Sequence, residues 1–438
     1  MCASIKDDAF RIIDGVIADN MPRKAVEDAL RGRWQAGTGV GAANIYLIAL
    51  GKAAWTMAQA AVDFLGDRLV SGIVVTKYGH AMGPLPRVKI YESGHPISDE
   101  NTIIATQSCI ELAESLKDGD ELLFLVSGGG SALFEKPLEG ISLEDIQGLT
   151  GQFLACGADI VEINMVRKRL SAVKAGRFAK LAAPAKIFAV VLSDVLGDSL
   201  DSIASGPAAA DSTTVEDALR VIAKYDIKLT DLQQKYLREE TPKEVDNVET
   251  VITGSVRTLC EAAAKAAKSL GYEAYVLTTS LNCEASEAGR FLATIASDTR
   301  QGYTSFKIPC AIIAGGETVV TLKAGNPAAE GSAAKEKSAK RGKGGRNQEL
   351  ALAATRGIAG LNKTLIFSIG SDGTDGPTDA AGGIIDGESL AKFKEQGLDV
   401  DKFLAANDSY NALKAIDGLI ITGPTGTNVN DVAVILCS

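Results

Sequence analysis

Five stretches of the sequence set glycines beside charged or hydroxyl residues, four of them directly after a short apolar run. In Ala49-Leu50-Gly51-Lys52 an ammonium sits on a glycine turn that opens a helix. The dipole of that helix disfavours a cation at its start, so an anionic ligand would explain the lysine better than solvent does. In Ser127-Gly128-Gly129-Gly130-Ser131 three glycines let backbone N–H groups approach a phosphate or carboxylate without side-chain obstruction. The loop is neither a Walker A motif nor G-x-G-x-x-G, since residue 133 is leucine. In Ser193-Asp194-Val195-Leu196-Gly197-Asp198 the Asp194 carboxylate can hold Mg²⁺, accept a hydroxyl proton, or simply cap a helix. Gly342-Lys343-Gly344-Gly345-Arg346-Asn347-Gln348-Glu349 joins glycines to an arginine whose planar fork suits phosphate or carboxylate. Lys335, Lys337, Lys340 and Arg341 nearby read as solvated charge. Ser371-Asp372-Gly373-Thr374-Asp375-Gly376 alternates carboxylates with glycines, although ordinary Asp-Gly turns account for that pattern equally well. Gly315-Gly316-Glu317 and Gly423–Asn428 close two further apolar runs in the same manner. Cations and N–H groups to neutralise phosphate, with carboxylates for Mg²⁺ and the attacking hydroxyl, are together what phosphoryl transfer requires.

The elements that carry these residues are legible as apolar runs rich in Val and Ile. Ile45–Leu50, Ile73–Val75, Leu122–Val126, Ile187–Leu192, Val276–Thr278, Ala311–Ala314, Leu365–Ile369, Leu419–Ile421 and Val432–Leu436 are continuous rather than alternating, which predicts strands covered on both faces. Between them lie helical stripes such as Ala53, Met57, Ala60, Ala61, Phe64 and Leu65, and Val256, Leu259, Cys260, Ala263 and Leu270. The alternation predicts α/β architecture with mostly parallel sheets. Ligands in such folds bind at the carboxyl ends of the strands. The charged, apolar-poor stretch Arg238–Asn247 marks a domain boundary, giving domains over 1–240 and 241–438. The segment 326–340 is small, charged and low in complexity, and reads as a surface loop.

Composition removes several function classes. The net charge of −10 and an aromatic content of 5% argue against a nucleic-acid or acidic-membrane binder. Seven scattered cysteines without a C-x-x-C pair, and two histidines in all, make zinc ribbons, histidine-rich metal sites and Ser-His-Asp hydrolysis unsupported. With neither a secretory signal nor an apolar run long enough to span a bilayer, a cytoplasmic setting is expected.

Together with Asn164–Ala179, Ile203–Pro207 and Glu92-Ser93-Gly94-His95-Pro96, these motifs resemble the glycerate 2-kinase family, whose C-terminal half is the MOFRL domain. The similarity runs in order along almost the whole chain, and G-G-R-N-Q-E followed by S-D-G-T-D-G-P-T-D-A-A-G is its most specific part. The resemblance implies two α/β domains around an active site, the first Rossmann-like with a parallel sheet and the second with a mixed sheet. It also implies ATP- and Mg²⁺-dependent phosphorylation of D-glycerate to 2-phosphoglycerate. Lys52 and Arg346 are then the expected catalytic pair. Asp194 is the candidate for metal contact or proton acceptance. Ser127, Gly128, Gly129, Gly130, Ser131 and His95 are expected to bind substrate and phosphate; Glu317, Gly344, Gly345, Asn347, Asp372 and Asp375 are expected to bind nucleotide. The partner is a small molecule, and a homo-oligomer is compatible with the sequence. Against the family pattern, 326–340 is inserted ahead of the arginine loop and Leu196 stands where proline is usual. Two rival functions remain open: a hydroxypyruvate reductase using NAD(P)H, and a non-catalytic binder of sugar acids or nucleotides.

Overall fold

A computed structural model describes residues 4–34, 44–193, 195–322 and 342–438. Asp194 and the segment 326–340 lie outside the described residues, as do Lys335, Lys337, Lys340 and Arg341. The chain forms two compact units, one of residues 22–254 and the other of residues 1–21 with 255–438.

The 22–254 unit is built on six parallel strands: β1 (Ile45–Leu50), β2 (Leu69–Lys77), β3 (Val88–Ser93), β4 (Glu121–Val126), β5 (Lys186–Leu192) and β6 (Val248–Gly254), in the order β3-β2-β1-β4-β5-β6. Because side chains alternate along a strand, the continuous apolar runs feed two cores at once. Ile48, Leu50, Phe124, Val126, Ala189 and Val191 pack on one face, and Leu47, Ala49, Leu123, Leu125, Phe188 and Val190 on the other. Helix Ala54–Leu65 covers the second face with Met57, Ala58 and Ala61. Helices Leu143–Ala155, Ile160–Arg167, Val215–Tyr225 and Asp231–Leu237 carry a separate small core of Leu149, Phe153, Ile163, Val166 and Val221.

The other unit holds a mixed sheet of β7 (Glu273–Leu281), β8 (Cys310–Gly316), β9 (Thr364–Gly370), β10 (Gly382–Asp386), β11 (Leu419–Ile420) and β12 (Asp431–Cys437), in the order β11-β10-β9-β12-β8-β7. Among the described strands of this sheet only β7 and β8 run parallel. The last strand, β12, lies antiparallel between β8 and β9, so Asp431 at its start is level with Gly316 and Gly370 at their ends.

The expected boundary at 240/241 does not match this division. The polar stretch Arg238–Asn247 feeds β6, which joins β5 with Ile187 level with Val248, so it is a loop inside a domain. Helix Ile5–Asp19 belongs to the mixed-sheet unit. An ion pair between Lys265 and Asp19 (2.7 Å) ties it to helix Val256–Ser269, and the Tyr272 hydroxyl, just past that helix, donates to Asp8 (2.8 Å). Among the described residues no helix is long and apolar enough to cross a membrane.

Candidate active site

In the parallel sheet the chain leaves β1 toward β2 and β4 toward β5. The neighbouring pair β1 and β4 is therefore the point where connections diverge and a crevice opens beyond the strand ends. Two predicted loops meet there. The Ser127 N–H donates to Leu50 O (2.9 Å), the Lys52 N–H to Gly128 O (2.9 Å), and the Ala53 N–H to Ser127 Oγ (3.1 Å). Gly51 has φ +112°, and a Cβ there would lie 2.3 Å from Ser127 Oγ, so no other residue fits. Ser127 thus supplies the cap that helix Ala54–Leu65 lacks from Ala53.

Lys52 and His95 both pass over the glycine loop. A Cβ on Gly129 (φ +89°) would sit 3.0 Å from the His95 ring and 3.4 Å from Lys52 Cε. Burial, helped by the Lys52, Lys77 and His80 charges, lowers the His95 pKa, which keeps its ring neutral. No carboxylate among the described residues pairs with Lys52. Helix Gly130–Leu133 is a single turn, so an anion at this loop would meet individual N–H groups rather than a long helix dipole. Ser131 Oγ lies 3.0 Å from Ser205 Oγ, which ties the loop to the Ile203–Pro207 segment.

The same loop bounds a cavity of about 650 Å³ that Asn164, Arg167, Lys168 and Asp201 also line. These four were not singled out as site residues from the sequence. Lys168 is paired with Asp211 (2.6 Å) and Asp201 (3.6 Å). Burial alone would raise the Asp201 pKa; hydrogen bonds from Ser199 and Ser212, with the Lys168 charge, outweigh it and hold the group at about 2. Lys174, fully buried, donates to Ser131 O (2.7 Å) and Phe134 O (3.1 Å) and faces Glu135 (3.5 Å), fixing the far end of the glycine loop. Burial, only partly offset by Glu135, brings its pKa down to about 8. A dense run of cations in Asn164–Ala179 was the available signal, but a basic run ordinarily means a solvated face.

In the mixed-sheet unit the predicted residues gather at the edge shared by the ends of β8 and β9 and the start of β12. Arg346 opens helix Arg346–Ala354. It donates to Asp431 through Nε (2.5 Å) and Nη2 (3.1 Å) and to Glu317 through Nη1 (2.9 Å). Burial, reinforced by Asp375 and opposed by Arg346, pushes the Asp431 carboxyl up to about 6. Gly345, the N-cap, offers no side chain; Asp375 supplies the cap instead, accepting from the N–H groups of Asn347 (3.1 Å) and Gln348 (2.9 Å). Both Asp375 oxygens are occupied in this way, and Asn347 is buried with its Oδ1 accepting from Ser368 (2.5 Å). Neither side chain is free for a ligand. A Cβ on Gly345 would meet Asp375 at 2.3 Å and one on Gly344 would meet Ser409 Oγ at 2.2 Å, so these glycines serve close packing of the loop. Asp372 closes an Asx turn on Thr374 N (2.9 Å). Glu317 stays half exposed. The two edges belong to separate units: one collects Lys52, His95 and the 127–131 loop, the other Arg346, Glu317, Asp431 and the 371–376 loop.

Known proteins resemble the chain in sequence and in fold. The family described as a domain of unknown function (DUF4147) matches residues 8–238, and the MOFRL family matches residues 310–431. A D-glycerate 2-kinase of Thermotoga maritima is 50% identical over 431 residues, covering 98% of each chain. A glycerate 2-kinase of Pyrococcus horikoshii is 44% identical, over 89% of this chain and 87% of its own. The crystal structure of a glycerate kinase from Thermotoga maritima superimposes with a TM-score of 0.91 at 49% identity, covering 99% of both chains. By sequence and by fold, the chain belongs to the glycerate 2-kinase family.

Proposed function

We propose that the protein transfers the terminal phosphoryl group of ATP to the 2-hydroxyl of D-glycerate, releasing 2-phosphoglycerate and ADP. The observation that carries the reading is Lys52: an ammonium without a carboxylate partner among the described residues, lying over a triple-glycine loop at the divergence point of a parallel sheet. An anionic ligand would offset its charge. Phosphoryl transfer asks the protein mainly for positioning and charge neutralisation. Lys52 and the N–H groups of 127–131 take the migrating group. Arg346, held flat by Asp431 and Glu317, presents the remaining N–H donors to phosphate oxygens. The hydroxyl proton passes to Asp194, the expected acceptor.

The donor chemistry fits Mg²⁺ brought in on nucleotide phosphates, because that ion is satisfied by one or two protein carboxylates. Among the described residues no cluster of three or more metal-binding side chains exists, and Glu317, half exposed, is the carboxylate suited to the task. When bound, the ion neutralises charge on the β- and γ-phosphates. Six cysteines in the described residues are unpaired, in keeping with a reducing compartment such as the cytoplasm.

Phosphorus NMR of the product formed from ATP, Mg²⁺ and D-glycerate tests the reading, with the 2-phosphate and ADP expected. Oxidation of NADH by hydroxypyruvate without ATP would favour the reductase, and tight glycerate binding without ADP release a binding protein.

A further inference from the structure

Helix Ile160–Arg167 starts in a capping box formed by Asp159 and Glu162 and buries Ile163 and Val166 in the helical core. Asn164 and Arg167, three positions apart, therefore share another face, and both line the cavity that the Gly129–Ala132 loop also lines. Two polar atoms on that face are withdrawn from solvent and make no hydrogen bond: Asn164 Oδ1 and Arg167 Nε. Buried polar atoms are nearly always satisfied, so an orphaned pair on a face that lines a cavity calls for a partner from that cavity.

The ion-pair distances point the same way. The acid nearest Arg167 is Glu135, at 3.9 Å, and Glu135 already faces Lys174 at 3.5 Å. One fully buried carboxylate thus serves two cations. Lys168 is taken by Asp211 and Asp201, and the His95 ring is held neutral. Of these three cations Arg167 has the longest acid contact, and it shares that acid with Lys174. An anion that also carries a hydroxyl would satisfy both orphaned residues: the anion on the guanidinium, the hydroxyl donating to Asn164 Oδ1.

We propose that Arg167 and Asn164 recognise the acceptor substrate, the guanidinium binding the carboxylate of the 2-hydroxy acid and Asn164 accepting from one of its hydroxyls. The assignment rests on the kinase reading and adds to it the side chains that choose an acid over a neutral polyol. Steady-state kinetics of the full chain with D-glycerate and its neutral amide, D-glyceramide, test it. Arg167→Gln should raise the KM for glycerate roughly 10- to 100-fold, with kcat within about threefold, since a carboxylate contact is made equally in ground and transition states. The variant should also lose the preference of the wild type for acid over amide. Asn164→Asp, isosteric, should raise the KM for glycerate more than that for glyceramide. A thermal melt of each variant separates these effects from unfolding. An unchanged glycerate KM in folded Arg167→Gln, or equal losses on acid and amide, overturns the proposal. Should the wild type fail to phosphorylate glycerate, the kinase reading falls instead. Calorimetric titration of D-glycerate then decides the site by itself: binding lost in Arg167→Gln supports it, and binding retained removes it.

Discussion

At the end of β1, Lys52 stands without an acid among the described residues, whereas Arg346 is gripped by two, Asp431 and Glu317. The neighbours of Lys52 are a neutral imidazole and backbone N–H groups, so its charge is offset only when an anion arrives. The charge of Arg346 is largely compensated beforehand, and its planar fork is already aimed. The first arrangement stores attraction for a ligand; the second stores orientation. Loss of Lys52 should therefore remove charge stabilisation outright, while alteration of Arg346 should chiefly misalign it.

The sharpest way to break this contrast is a pair of variants. Lys52→Ala should lower kcat about 1000-fold, the usual worth of one charge contact in a transition state. Arg346→Lys, which keeps a charge but loses the fork, should lower it about 100-fold. Near-normal ADP release in Lys52→Ala, or a larger loss in Arg346→Lys, would reverse the roles assigned to the two cations.

Smaller is the effect expected of Asp431, whose carboxyl burial pushes up to about 6. Ionised, it fixes the guanidinium; protonated, it releases it. Activity should rise from the acid side through that value, and Asp431→Asn should be slower but flat across the same range. Because the folded pKa exceeds the ordinary 3.8, the stability this group contributes is full below about pH 4 and is lost as pH rises through 6. Thermal melts at pH 4 and pH 7 should therefore move in favour of Asp431→Asn at the higher pH. A melting difference that runs the other way would mean the ion pair outweighs burial.

Gly129→Ala is the mildest test. The φ of +89° is strained for alanine by about 1 kcal/mol, and the added methyl presses on the His95 ring. A fall in kcat/KM of about tenfold is expected. Kinetics equal to wild type would show that the ring and the Lys52 stem are not held against this loop.

Much of this was legible in the residues alone. Strands buried on both faces announce themselves as unbroken apolar runs, and β1, β4, β5, β8, β9 and β12 lie where those runs predict. The strands not anticipated are β3, β6 and β10. The first two are sheet edges with half-exposed residues, and β10 opens on two glycines whose close fit to Ser368 O and Leu413 is a tertiary fact. Lys52, the 127–131 loop and Arg346 stand out in the sequence because glycines set beside charge or hydroxyls at the start of a helix have few bland explanations. Asp375 was misleading: an Asp-Gly pair looks the same whether it faces a ligand or caps a helix 28 residues upstream. Arg167 and Lys174 were hidden for the opposite reason, since local sequence does not reveal that a basic run turns inward.

The discontinuous mixed-sheet unit carries a practical corollary. Thr258 Oγ1 donates to Asn20 Oδ1 at 3.0 Å, so the two points at which the polypeptide departs and re-enters are neighbours. Excising 22–254 and splicing Met21 to Ser255 through a short glycine linker would leave the second sheet with its full complement of helices, including the N-terminal one. A polypeptide begun at residue 241 would instead lack that helix and expose the apolar flank it shields.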